Sequence, residues 1–121
     1  MAASLTEIVI DCNDAELIAN FWCAVLGWPL QRTKRGDLWT SATGGYDARP
    51  FIVFEPVPEQ KRTKNRVHID VSPSGCEQAE ELERLRGLGA THVDIGQGEQ
   101  PWIVLADPEG NEFCLLGRRV D

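Results

Sequence analysis

An internal repeat limits the folds open to this chain more than any single motif does. Glu7 returns as His68 and Asn13 as Ser74, both at an offset of 61 residues. Leu26-Gly27 returns as Leu88-Gly89, Trp39 as Trp102 and Phe51 as Phe113, at offsets of 62 or 63. Each copy starts with an alternating stretch, the pattern of a half-buried strand. In the first, Ile8, Ile10 and Cys12 share one face and Glu7 and Asp11 the other. In the second, Val67, Ile69 and Val71 oppose His68 and Asp70.

Helix signals follow each of these strands. Asn13 with Glu16 reads as a capping box, and Leu17, Ile18, Phe21, Trp22, Val25 and Leu26 form one apolar stripe. Gly27 stops that helix, since glycine takes the left-handed cap without penalty. Ser74 with Glu77 reads as a second box, with Ala79, Leu82 and Leu85 inward and Gly87 and Gly89 as stops. Three strands then complete each copy. They are predicted at 28–32, 38–42 and 51–54, and at 91–95, 101–106 and 111–116. Asp107-Pro108-Glu109-Gly110 reads as a tight hairpin turn. The expected fold is therefore α+β: two strand–helix–strand–strand–strand modules at about 4–57 and 65–119, joined by a polar linker over 58–64. At 121 residues the repeats are expected to make one domain.

Charge and composition remove several function classes. A net charge of −7 repels phosphate backbones, so no nucleic-acid partner is expected. No apolar run is long enough to cross a bilayer, and Met1-Ala2-Ala3-Ser4 lacks the basic start of a signal peptide. The four cysteines, Cys12, Cys23, Cys76 and Cys114, show no C-x-x-C pair. Reduced thiols and a cytoplasmic location are the expectation.

The order of elements, the stretch Asn65-Arg66-Val67-His68-Ile69-Asp70-Val71, and the run Trp102 to Cys114 with its D-P-x-G-N turn together resemble the vicinal oxygen chelate superfamily. It includes glyoxalase I, bleomycin- and fosfomycin-resistance proteins and ring-cleaving dioxygenases, and the likeness is greatest to its glyoxalase-like branch. The resemblance implies a curved, mostly antiparallel eight-stranded sheet around a cavity between the modules, and a homodimer. It implies a divalent metal on inward positions of the first and last strands of each module. Those positions are Glu7 and His68 on the first strands, and Ile52 and Cys114 on the last. Glu55 lies on the opposite parity to Ile52, so a one-residue slip would exchange them.

A set of Glu, Ile, His and Cys departs from the enzyme pattern, because Ile52 offers no donor and a thiolate suits zinc rather than magnesium or manganese. No tightly bound cofactor is expected. If a divalent metal does bind, Glu7, His68 and Cys114 are its ligands. The leading expectation is a small-molecule binder, with Glu7 and His68 making polar contacts and Trp39, Ile52, Phe54, Trp102 and Cys114 lining the cavity. One alternative is a metal-dependent lyase, isomerase or dioxygenase of the glyoxalase type, and another is a dimeric scaffold without a ligand. Each residue also has a plainer role: His68 as a hydrogen-bonded strand histidine, Glu7 paired with Arg66 or His68, Cys114 as a small buried hydrophobe, and the tryptophans as core.

Overall fold

The computed structural model describes residues 1–121, which form two compact units, Met1–Gln60 and Lys61–Asp121. The first unit runs β1 (Glu7–Cys12), α1 (Ala15–Leu26), β2 (Leu30–Arg32), β3 (Leu38–Thr40) and β4 (Phe51–Pro56). Its four strands are ordered β1-β4-β3-β2. β1 runs parallel to β4, and the other two pairings are antiparallel.

Register fixes which side chains α1 covers. Leu38 lies opposite Phe54 and Thr40 opposite Ile52, and all four are buried. They pack with Ile18, Ala19 and Trp22 of the helix that contacts both strands. Trp39 opposite Val53, and Glu7 opposite Phe51, take the other face. The alternation is therefore that of a sheet covered on one side.

The helix cap differs from the sequence expectation. Asp14, not Asn13, is the N-cap: its carboxylate accepts from the Leu17 N–H at 3.1 Å. The Asn13 amide instead donates to the Val57 and Glu59 carbonyls, at 2.9 and 3.0 Å, and so ties the strand end to the segment after β4. Gly27 ends the helix at φ 68°, as its position predicts.

The second unit runs β5 (Asp70–Val71), α2 (Gln78–Leu88), β6 (Thr91–His92), β7 (Ile103–Ala106) and β8 (Glu112–Leu115). Its order, β5-β8-β7-β6, with β5 parallel to β8, is that of the first unit. The fold is α+β, its eight strands divided between two four-stranded sheets. No helix is long and apolar enough to cross a membrane.

Three expectations are corrected here. The strand at 66–71 shrinks to two residues, Asp70 and Val71. The Ser74–Glu77 box does not form. Gly75 turns the chain at φ 74°, and the contiguous turn that a box requires is lost. Glu77 becomes an N-cap with no side-chain bond, and Ser74 Oγ donates to Asp121. The later start also moves the buried stripe to Glu81 and Leu85 and leaves Ala79 exposed. Buried Glu81 is held by two bonds from Arg84 at 2.8 Å.

The D-P-x-G-N turn between β7 and β8 is a closed hydrogen-bond unit. Gly110 N–H donates to the Asp107 carbonyl at 2.9 Å. The buried Asp107 carboxylate accepts from the backbone N–H groups of Glu109 and Asn111 and from the Asn111 amide. Gly110 sits at φ 91°, where a side chain would be strained. The turn sets the register of β7 against β8, and with it the position of Cys114.

Candidate functional site

On β8, Phe113 and Leu115 point into the core of the second unit, so Cys114 between them must face the other side. Its neighbours across the sheet are Asp70 on β5 and Val104 on β7. His68 lies two residues before Asp70, and its Nδ1 is 3.5 Å from Asp70 Oδ1. The backbone locks this arrangement: Cys114 N–H donates to the Ile69 carbonyl at 3.0 Å, and Leu116 N–H to the Val71 carbonyl at 2.8 Å.

These residues line a pocket of about 340 Å³ on the open face of the second unit. Trp102, Val104 and Leu116 give it apolar walls, and His68, Asp70 and Cys114 form a polar end. Cys114 is 7% exposed, while His68 and Asp70 are open to solvent. Burial pushes the Cys114 thiol pKa up, and the charge of Asp70 and a hydrogen bond to its carboxylate push the same way, against a smaller opposing effect of Lys64. The thiol is thus protonated at neutral pH and is no nucleophile on its own. Glu112 also borders the pocket. Burial alone would raise its pKa, but the Asn65 N–H at 2.9 Å and the Lys61 ammonium at 3.1 Å outweigh that and lower it.

The open face of the first unit carries a second pocket of about 390 Å³. Trp39 stacks on Tyr46 with ring centroids 5.0 Å apart, and Phe51 meets both edge-on. Glu7 and Glu55 line the same pocket.

Of the residues singled out from sequence, His68, Trp102 and Cys114 meet in the second unit's pocket, and Glu7 and Trp39 border the first unit's; Phe54 edges that pocket too but is 1% exposed, on the α1-covered side of β4. Ile52 borders neither: it is 4% exposed, on the side of β4 that α1 covers. Val53 and Glu55 hold the open face of β4 instead. Asp70 is the residue the sequence reading did not select, although its alternation with His68 already placed both on one face.

One nitrogen of His68, one carboxylate oxygen of Asp70 and the Cys114 sulfur lie within 4.8 Å of one another. A nitrogen–oxygen–sulfur set fits zinc with one position left open. It fits manganese poorly, since manganese prefers oxygen and imidazole. Ile52 supplies no donor, and Glu112 is engaged by Lys61 and Asn65.

The structure resembles solved proteins at low sequence identity. A fosfomycin resistance protein, FosX, from Listeria monocytogenes is 17% identical, with a TM-score of 0.68 over 98% of this chain and 93% of that one. FosX from Mesorhizobium loti is 15% identical, at 0.67 over 96% and 92%. A glyoxalase/bleomycin resistance protein/dioxygenase family enzyme from Burkholderia phytofirmans is 17% identical, at 0.61 over 93% and 97%. A mutant of the Listeria protein is known in complex with Mn(II) and 1S,2S-dihydroxypropylphosphonic acid. No curated protein matches the sequence. The glyoxalase-like domain family matches residues 7–116, nearly the whole chain, and the chain belongs to that family.

Proposed function

We propose that this protein binds a small organic molecule in the pocket of its second unit, without a resident hard metal ion. The observation that carries the reading is the division of that pocket into the apolar walls Trp102, Val104 and Leu116 and the polar end His68, Asp70 and Cys114. Small-molecule sites share this plan, with many apolar contacts and a few polar groups that orient the ligand. The ligand is held flat against the Trp102 indole while His68 and Asp70 engage its oxygen or nitrogen atoms. The first unit has a pocket of its own, bordered by Glu7, Trp39 and Tyr46. In this reading the two modules act as one domain, and the chain works as a cytoplasmic homodimer.

The rival is a metal-dependent lyase, isomerase or dioxygenase of the glyoxalase type, supported by the Mn(II) complex of the Listeria relative. It would need oxygen and imidazole donors where this chain has Cys114 and Ile52.

A thermal-shift screen of small planar compounds bearing oxygen or nitrogen donors tests the proposal. A true ligand at 100 times its Kd stabilises the folded state by about 2.7 kcal/mol. Trp102→Ala should weaken such a ligand about tenfold, the worth of one good aromatic contact. A screen without hits, or hits indifferent to both Trp102→Ala and His68→Ala, would overturn the proposal.

A further inference from the structure

The pocket on the open face of the first unit has a lining of a different chemistry from that of the second: aromatic rings beside carboxylates. We propose that it is a site for an organic ammonium ion with an apolar body, the charge held beside Glu7 and the rings of Tyr46 and Phe51. The site lies wholly within the first unit, so the proposal does not depend on what the second unit's pocket binds.

Register orders the lining along the strands. Glu7 lies beside Phe51, Val53 beside Trp39, and Glu55 beyond them near the end of β4. At about 3.3 Å per residue, the positions of the two glutamates are offset by about 13 Å along the strand direction. Aromatic and apolar side chains fill the interval. Trp39, Tyr46 and Phe51 form one cluster, with ring centroids 5.0 to 5.8 Å apart. Arg35 is the one cation in the lining, and it is rooted with Thr33 and Asp37 in the β2–β3 turn, at the Glu55 end. The lining therefore sets three carboxylates, Glu7, Asp37 and Glu55, against one guanidinium. No ion pair engages the carboxylate of Glu7 or Glu55.

Tyr46 decides the class of ligand. It is 72% exposed, so its ring contributes little to the core, yet the loop that carries it is tightly bonded. Ser41 Oγ donates to the Gly45 carbonyl at 2.7 Å, Thr43 Oγ1 donates to Asp47 Oδ1 at 2.8 Å, and the Gly45 N–H donates to Thr43 Oγ1 at 3.1 Å. Gly44, at φ 83°, packs so closely that a Cβ there would stand 2.8 Å from both Pro29 and Gln31. The loop thus holds one aromatic face outward, with the other stacked on Trp39. Ring faces are negative and attract an ammonium group, most of all a poorly hydrated organic one. An anion meets carboxylates and ring faces, which repel it. A neutral molecule gains the apolar contact with Val53 and the rings but nothing from the charges. The net charge of −7 draws every cation alike, so selection for an organic one comes from the aromatic cluster.

The test is an NMR titration of the full chain with benzyltrimethylammonium, and with benzyl alcohol and benzoate at matched ionic strength. The indole N–H signal of Trp39, assigned with Trp39→Phe, is the reporter. The expected result is a saturable shift of that signal by the cation, none by benzoate, and an affinity for the cation at least about fivefold above that for benzyl alcohol. One exposed cation–π contact is worth about two- to fivefold in affinity. Tyr46→Leu, which keeps an apolar side chain and removes the ring face, should weaken the cation by about that factor. Glu7→Gln should weaken the cation similarly and leave benzyl alcohol unchanged, a split that a packing role would not produce. Both side chains are exposed, so the variants should fold. Equal affinity for the cation and benzyl alcohol, a shift confined to the Trp102 indole, or cation binding indifferent to both Tyr46→Leu and Glu7→Gln would overturn the proposal. Cation binding here without any hit in the thermal-shift screen would retain this site and remove the reading of the second unit's pocket; the reverse result would do the opposite.

Discussion

Glu112 sits beside the pocket but is committed elsewhere. The Asn65 N–H and the Lys61 ammonium both donate to its carboxylate, and these bonds hold the segment before β5 against β8. Although burial works against it, the folded pKa lies below the ordinary value. A depressed carboxylate pKa means stability that is present above the unfolded pKa of about 4.3 and is lost as pH falls through the folded value. Glu112→Gln should therefore cost about 1.5–3 kcal/mol at pH 7, the range for a hydrogen bond to a charged group. The gap between wild type and variant, measured by urea unfolding, should close as the pH drops below about 4. An equal gap at pH 7 and pH 3 would show that the carboxylate charge contributes nothing. The sequence alone could not assign this role. The partners that engage it lie 47 and 51 residues away in the chain.

At the scale of elements, the two helices offer a comparison within one chain. α1 has a real cap in Asp14, whereas Ser74 caps nothing because Gly75 diverts the chain before α2 begins. Asp14→Ala should lower stability by about 1 kcal/mol, and Ser74→Ala by under about 0.5 kcal/mol. Equal losses in chemical denaturation would contradict the cap assignment. The same pair of helices shows what the sequence could reveal. Element type and order were readable because periodicity and the Gly27 and Gly89 stops are local signals. Cap identity was not, because Asn13 and Asp14 are both good caps, and only the distant Val57 and Glu59 carbonyls decide that Asn13 has other work. The face of β4 was likewise unreadable: Ile52 and Glu55 differ by parity, and the cover supplied by α1 settles it. Asp70 was missed for a related reason. Its value as a donor depends on Cys114, which only the β5–β8 pairing brings to it.

At the scale of the whole molecule, each sheet ends on its module's first strand. β1 lies at one edge of its sheet and β5 at one edge of the other. Large apolar residues are exposed there: Ile8 and Val9 on β1, and Val67, 81% exposed, just before β5. Unpaired strand edges with apolar side chains invite pairing with another chain, and natural proteins either blunt such edges or use them. This chain does not blunt β1 with proline or lysine; its only charges are Glu7 and Asp11, at positions facing the open side. With a net charge of −7, two copies also repel at long range, so association must come from a substantial buried surface and should strengthen as salt screens the charge. The expected state is a homodimer of the 13.5 kDa chain, measured by sedimentation equilibrium at tens of micromolar. Raising the salt should favour the dimer. Val9→Lys, which places a charge on an exposed position of the β1 edge, should shift the equilibrium towards monomer with little loss of fold, because Val9 is already 46% exposed. A wild-type mass of one chain at every salt concentration would remove the dimer. A dimer indifferent to Val9→Lys would move its interface away from this edge.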